Sequence, residues 1–441
     1  MLHLFISYIL CLQWQSTLSN AKIAVIGAGP AGSSFAYHLS KMVQNAPNVK
    51  IDLFEATAKV GGRVDSIYVP FEEGVVVDFG ASIFVDSNPI MYNMSKLFNL
   101  TYTSSKGSFG FYDGKKSEFL FESSTYSWWT KVKMAYRYGW SLKKGTDAGD
   151  EAAARYKGIY ELDSFDNMSK LVRSLNLEDT LNVTTREYLE GYNENYLNEI
   201  VDVTTIINYG RNIDQSHALG SLVGILSDNA YTIDGGNSLI FENMLNHSIA
   251  DIYYNSRVTK VSKRNATYAL TINETIFPDY DFVVLASGEF VLSDLELDFK
   301  ISYIPDVQYY HIFVTMVIGT INPKYFNRDA VPDSIFCTRD SCEFQSISKI
   351  RSGSKGHLYK IFSRYSSIAF LAKVFSEISW SKEQSYFSYP KLHPGPEMLP
   401  IEVAHNVFYA SSMETVLSTM ETQCVSGLNI AKLVLKSLKT Q

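Results

Sequence analysis

Three glycines and a glutamate carry the clearest chemistry in this 441-residue chain. In KIAVIGAGPAGSSFAYHLS, residues 22–40, Gly27, Gly29 and Gly32 keep a G-x-G-x-x-G spacing, with Pro30 and Ala31 inside it. The first glycine permits a tight turn, the second lets a pyrophosphate approach the backbone, and the third lets helix pack on strand. Phosphates then rest on the free N–H groups and positive end of that helix. Glu55 lies 23 residues past Gly32, close to the roughly 20 expected for a carboxylate that grips a ribose hydroxyl. Such a loop works only between a strand and a helix. Residues 22–26 read as a short buried strand, 33–41 as the helix, and VKIDLFEA as the second strand that delivers Glu55. The spacing predicts a dinucleotide site.

Gly61-Gly62-Arg63 follows the ribose acid. Adjacent glycines let the chain lie against a flat or charged ligand, and an arginine fork holds a phosphate through two hydrogen bonds; a solvated surface arginine is the alternative. A Glu-terminated second strand followed by Gly-Gly-Arg resembles the FAD-dependent amine oxidase and desaturase group. In that resemblance Arg63 faces the pyrophosphate, the turn Gly80-Ala81-Ser82 in VVVDFGASIF approaches the flavin, and Val258 of RVTKVSK borders the cofactor. Near the C-terminus, 407–410 reads as a strand and 413–414 as a turn before a long helix. The resemblance makes Met413 and Glu414 the turn that presents backbone N–H groups to the flavin. Val425, Leu428 and Val434 read as core positions of the helix.

The class implied is α/β: a discontinuous Rossmann-type FAD-binding domain with an α+β substrate domain inserted. Its parts are expected at 22–105, 230–300 and 395–441. Two insertions rich in Tyr, Phe and Trp, at 106–229 and 301–394, form the substrate domain and cover the flavin. Hydrophobic residues are 46% and charged residues 19% of the chain, ordinary for a folded enzyme. A net charge of −7 and no zinc-finger, RNA-recognition or helix-turn-helix signature set nucleic acid aside. No metal-ligand cluster and no Ser-His-Asp order stand out.

Residues 1–21 have an apolar stretch of about ten residues, then polar and small ones, the shape of a cleavable secretory signal. A buried helix or uncleaved anchor is the other reading. Asn93, Asn99, Asn167, Asn182, Asn246, Asn265 and Asn273 each begin an N-x-S/T sequon. Cys337 and Cys342 are close enough to close a short disulfide loop in a secretory compartment, the lysosome or the medium being the destination. Cys424 reads as a buried thiol.

The middle of the chain narrows the family. YLNEIVDVTTIINYGR, HALGSLVGI and YTIDGGNSLI follow one another as in the prenylcysteine oxidase (prenylcysteine lyase) family, and the resemblance extends to YYHIFVTMV, LYKIFS, SYPKLHPG and METVLSTMETQ. Matching positions are Asn208, Tyr209, Gly210, Gly235, Gly236 and Asn237. The resemblance implies oxidation of the thioether carbon of farnesyl- or geranylgeranyl-cysteine, with FAD as hydride acceptor. Water addition then releases a prenyl aldehyde and cysteine, and molecular oxygen yields hydrogen peroxide. It puts Asn208, Tyr209 and Gly210 near substrate, and His311 as a group that orients water or a carboxylate; a core histidine on a strand is the alternative. Val85 stands where the family has histidine, Ile206 where it has arginine, and Arg211 where it has glutamine. Another amine oxidase or desaturase activity, or a flavin-bound protein without turnover, are the competing functions. His217 has no counterpart. In YSWWTKVKMAYRYGWSLKK, Trp128, Trp129, Tyr136 and Trp140 alternate with Lys and Arg. This is either an interfacial helix in peripheral contact with a membrane, or an amphipathic helix whose aromatic face lies in the core.

Overall fold

The computed structural model describes residues 18–44, 48–71, 74–104, 107–226, 230–288, 294–302, 304, 306–339 and 341–440. The first seventeen residues of the expected signal lie outside these.

Three apolar runs, Ala21–Ile26, Val49–Phe54 and Phe282–Leu285, sit inside a six-stranded sheet. Its order is Ala250–Tyr253, Val49–Phe54, Ala21–Ile26, Phe282–Leu285, Val407–Tyr409 and Glu402–Ala404, parallel except for the last strand. Mostly apolar runs, interrupted here by Lys22, Lys50 and Asp52, are what a parallel sheet covered on both faces needs. Helices Pro30–Met42, Ser238–Asn246 and Met420–Thr440 form one cover. The first and last approach so closely that a Cβ at Gly427 would lie 2.2 Å from the Ala31 carbonyl oxygen. The other cover is a four-stranded sheet, which includes Val258–Arg264, Thr267–Ile272 and Thr275–Tyr280. Ala24, Phe54, Val261, Tyr268 and Val283 fill the space between. The first helix starts at Pro30 rather than residue 33, because proline's fixed φ suits a first helical turn.

The inserted segments form a seven-stranded sheet. Its order is Phe375–Pro390, Tyr309–Ile321, Gly356–Ser363, Ser346–Gly353, Ser334–Cys337, Phe109–Asp113 and Glu118–Glu122. Alternation along Tyr309–Ile321 sends Ile312, Val314 and Met316 to one face with Phe79 and Leu358. Val317 goes to the other face with Ile335, Ile347 and Ile361. Helices Ser141–Lys157, Asp202–Tyr209 and Ala218–Ile225 pack beside this sheet.

Cys337 and Cys342 are disulfide-bonded, with Cα atoms 6.1 Å apart, and Cys424 is a buried free thiol. Val425 and Val434 are buried and Leu428 packs on the same core. His217 is buried, and desolvation lowers its pKa to about 4, so it is neutral in the core. The aromatic segment overturns the core reading. In helix Ser127–Tyr138 only Tyr138 is buried, while Trp128, Trp129, Tyr136 and Trp140 face outward. No helix among the described residues is long and apolar enough to cross a membrane.

Candidate functional site: a nucleotide cradle leading to an apolar cavity

Gly29 caps helix Pro30–Met42. A Cβ built on it meets no protein atom closer than 3.9 Å, the Gly61 carbonyl oxygen. Gly27 and Gly32 are different. At Gly27 φ is +111° and a Cβ would sit 2.6 Å from the Ala286 carbonyl oxygen; at Gly32 it would sit 2.0 Å from that of Gly27. Two glycines therefore hold strand, turn and helix together, and the third leaves open space at a helix N-terminus, where an anion is favoured.

Glu55 stands at the end of its strand, buried, and accepts from the Ala28 N–H (2.9 Å) and from the Thr57 N–H and hydroxyl (both 2.8 Å). A carboxylate has about four lone-pair sites, so one remains for a ribose hydroxyl. Gly61 and Gly62 take positive φ (+126° and +57°) and lay the chain against Gly29, with a Cβ on Gly62 only 3.4 Å from the Gly29 Cα. Val258 borders a hollow of about 40 Å³ with Ile26 and Ser287 at the ends of the central strands. An open glycine cradle at a helix N-terminus and a buried acid at the end of the next strand fit the ADP half of FAD.

Arg63 is half-buried, and it closes on Glu414 instead of standing open to a phosphate. Its guanidinium pairs with the Glu414 carboxylate and donates from Nη1 to the Ser388 carbonyl oxygen at 2.8 Å. The Tyr309 hydroxyl donates to Glu414 Oε2 at 2.5 Å. Burial beside Glu414 pushes the Tyr309 pKa upward. These contacts join the first nucleotide segment, the C-terminal turn and the inserted sheet. The Glu414 N–H donates to the Ser411 carbonyl oxygen (3.0 Å), and Met413 is buried.

The Gly80-Ala81-Ser82 turn is zipped to the same loop through Gly80 N–H to Asp65 O (3.0 Å) and Ala81 N–H to Arg63 O (3.1 Å). Gly235, Gly236 and Asn237 explain their acid-Gly-Gly-Asn pattern here. The Asn237 N–H donates to Asp78 Oδ1 (2.9 Å), and a Cβ on Gly236 would collide with Ser66 Oγ at 2.3 Å. Asp78 also accepts from the Ser66 and Thr232 hydroxyls (2.7 and 2.9 Å).

A cavity of about 1380 Å³ opens past this turn. Ligand pockets usually span roughly 300–1,000 Å³, so there is room for a flavin ring and a second molecule. Its walls include Gly80, Ala81, Ser82 and Val85, together with Ala153, Ile207, Val223, Leu226, Met316 and Phe336. Asn208 and Tyr209 also line it. Gly210, a left-handed cap at φ +73°, ends their helix, and a Cβ there would meet the Tyr310 ring at 2.6 Å. Ile206 is buried off the wall.

His311 needs correcting. Ile312, Val314 and Met316 face the cavity, so strand alternation turns His311 outward, where it is exposed between Phe313 and Phe387. Two residues that sequence reasoning missed take part. Glu421 lines the cavity and accepts from the Ile90 and Met91 N–H groups (both 2.9 Å) and the Tyr160 hydroxyl (2.7 Å), capping helix Pro89–Leu97. Lys360 donates to the Asp78 and Gly80 carbonyl oxygens (2.8 and 2.9 Å) and to Ser82 Oγ (2.7 Å). No local signal marks either one.

Burial lowers the Lys360 pKa to about 8, against an opposing pull from Asp78. An unfolded lysine titrates near ~10.4. Between these values the unfolded chain binds the extra proton, so this group makes stability rise with pH in that window; below it the charge-burial cost applies in full. Between about pH 8 and 10 the wild type should therefore gain Tm relative to Lys360→Met as pH rises. Parallel melting series read this directly, and equal slopes would refute it.

A split nucleotide domain roofed by an antiparallel sheet, with a cavity at their junction, defines a flavoprotein of the amine-oxidase fold. Cyclohexylamine oxidase from Brevibacterium oxydans superposes with a TM-score of 0.63 at 13% identity, over 95% of this chain and 100% of its own. A fatty acid isomerase from P. acnes does so at 0.63 and 15%, over 95% and 98%. The chain belongs to the prenylcysteine lyase family, whose profile matches residues 121–441, while the NAD(P)-binding Rossmann-like domain profile matches 25–99. Relatives include the Arabidopsis thaliana farnesylcysteine lyase, 29% identical over 96% of this chain and 90% of that one. Human prenylcysteine oxidase 1 is 27% identical over 93% and 88%.

Proposed function

We propose that this protein is an FAD-dependent thioether oxidase that cleaves farnesyl- or geranylgeranyl-cysteine to a prenyl aldehyde and cysteine, with oxygen as acceptor and hydrogen peroxide as by-product. One observation carries the reading: a single cavity is lined both by the Gly80-Ala81-Ser82 turn and by the apolar side chains of Ile207, Val223, Leu226, Met316 and Phe336. When bound, FAD supplies the hydride acceptor. The chain's own part is positional. Lys360 fixes the turn, the Arg63–Glu414–Tyr309 cluster holds the two domains in register, and the apolar wall aligns a prenyl chain and excludes bulk water. Anaerobic farnesylcysteine should bleach the flavin of the purified protein, and in air it should release peroxide where polyamines and free amino acids do not. Flavin that is photoreducible yet inert to farnesylcysteine would overturn the proposal.

The proposal extends to the secretory pathway, ending in the lysosome or outside the cell. All seven sequon asparagines are exposed, which supports it. Made in a eukaryotic secretory host, the protein should lose about twenty N-terminal residues and drop in mass on glycosidase treatment. Intact mass spectrometry decides; an unglycosylated product that retains Met1 contradicts the expectation.

A further inference from the structure

Helix Ser127–Tyr138 is held firmly on one side. Arg137 makes a two-pronged pair with the buried Glu199 (both 2.6 Å), and the buried Tyr138 hydroxyl donates to the same carboxylate at 3.0 Å. Burial beside Glu199 raises the Tyr138 pKa. The helix is therefore fixed, and its opposite face is presented rather than loosely placed. That face shows Trp128 (62% exposed), Val132 (45%) and Tyr136 (95%) at a spacing of four, with Trp129 beside them and Trp140 (79%) one turn on. Trp128 and Trp129 pack edge to face on each other, centroids 5.4 Å apart. Three of the chain's five tryptophans lie in this stretch. Soluble surfaces rarely leave a contiguous aromatic patch of this kind without a partner.

Charge indicates the partner. The chain carries −7 overall, yet residues 123–146 hold Lys131, Lys133, Arg137, Lys143 and Lys144 with no Asp or Glu. Arg137 is taken by Glu199, Lys143 pairs with Asp147 (2.6 Å), and Lys133 binds the Glu122 carbonyl oxygen. Lys131 and Lys144 are exposed beside the aromatic stripe. Tryptophan and tyrosine settle at the headgroup level of a bilayer, and lysines reach past them to anionic phosphates. A protein partner would equally bury the rings, but an amphipathic face of Trp flanked by Lys is the pattern of interfacial binding.

We propose that the exposed face spanning residues 126–144 docks the protein peripherally on bilayers that carry anionic headgroups. One helix links the face to the cavity: Trp140 precedes helix Ser141–Lys157, whose Ala153, about 20 Å further along, lies on the cavity wall. That helix packs on Ala218–Ile225 so tightly that a Cβ on Gly149 would lie 2.9 Å from the Leu222 carbonyl oxygen. A lipid-like ligand would leave the bilayer next to the helices that bound its cavity. This last step rests on the substrate reading; the docking itself does not.

The test uses the flavin-loaded full chain with sedimented vesicles of phosphatidylcholine, alone or with about 30 mol % phosphatidylserine. Binding to the anionic vesicles is expected, with a blue shift of tryptophan emission and weakening as salt rises. Trp128→Ser/Trp129→Ser should reduce the partition coefficient about tenfold or more, and Lys131→Glu/Lys144→Glu should abolish the preference for anionic vesicles. Both variants change exposed residues only, so flavin content and Tm should match the wild type. A chain that stays in the supernatant with both vesicles overturns the proposal. So does a tryptophan double variant that binds like the wild type. A dimer that this variant converts to monomers, with no vesicle binding, assigns the face to a second copy and also refutes docking. The readout is binding, so a failure to turn over farnesylcysteine would leave it unaffected.

Discussion

Replacing Gly29 with alanine is expected to give folded protein that purifies almost free of flavin. The methyl meets nothing of the protein within 3.9 Å, and φ at this position is −75°, which alanine adopts freely. Stability of the apo protein should change by about 0.5 kcal/mol or less. The space the methyl fills is the approach of the pyrophosphate to the backbone, so the loss falls on the ligand. Gly32→Ala separates the two roles. Its methyl would lie 2.0 Å from the Gly27 carbonyl oxygen and 3.2 Å from the Ala286 Cβ, and neither backbone can retreat without breaking the central sheet. A cost of about 3 kcal/mol or more is expected, from a total that is only ~5–15 kcal/mol in most domains. The ratio of visible to ultraviolet absorbance and a thermal melt distinguish the cases. Gly29→Ala with full flavin content would mean that the nucleotide lies elsewhere.

The contrast between these glycines shows what the sequence makes legible. Ala21–Ile26 and Phe282–Leu285 are buried on both faces, so their apolar runs announce themselves, as does the glycine punctuation after the first. Thr275–Tyr280 does not: it contains Pro278 and survives only as the edge of its sheet. The long strand Phe375–Pro390 is also an edge, and its run of Ser, Lys, Glu and Gln hides the strand pattern. Strand parity decided His311. A resemblance can locate a histidine on a strand, but register determines which face it takes, and one step of alternation separates the cavity from solvent.

The site's polar groups were illegible for a different reason. Arg63 and Glu414 are 351 residues apart, and Lys360 reaches a turn 278 to 282 residues away. Their meaning lies in tertiary partners that no local window contains. The aromatic helix was ambiguous because both of its faces are occupied: Met134 and Tyr138 pack inward while Trp128, Val132 and Tyr136 point outward. Composition cannot tell which face is covered.

Prenyl length is expected to outweigh every feature of the amino-acid end in substrate recognition. A farnesyl chain has ten more carbons than a single prenyl unit. At ~0.8 kcal/mol per buried carbon these offer up to ~8 kcal/mol before ordering costs. The wall that receives them is built by Ala153, Ile207, Val223, Leu226, Met316 and Phe336. The charged side chains on the same wall already have partners inside the protein. Arg63 is held by Glu414, Lys349 by Asp333, and Lys360 by three oxygens, while Asp78 and Glu421 each accept from three donors. Asp234 and Arg351 are exposed on this wall, where an ion pair contributes about 0–1 kcal/mol. Val85 adds an apolar group to this wall and no charge. Shortening farnesylcysteine to prenylcysteine should therefore weaken flavin reduction by roughly 100-fold or more, and acetylating the amine of farnesylcysteine by about 10-fold at most. Stopped-flow bleaching with the three thioethers makes the comparison. If acetylation proves the more damaging change, an ion pair reads the amino-acid end, and an amine substrate of the kind the fold serves elsewhere becomes the better account of this cavity.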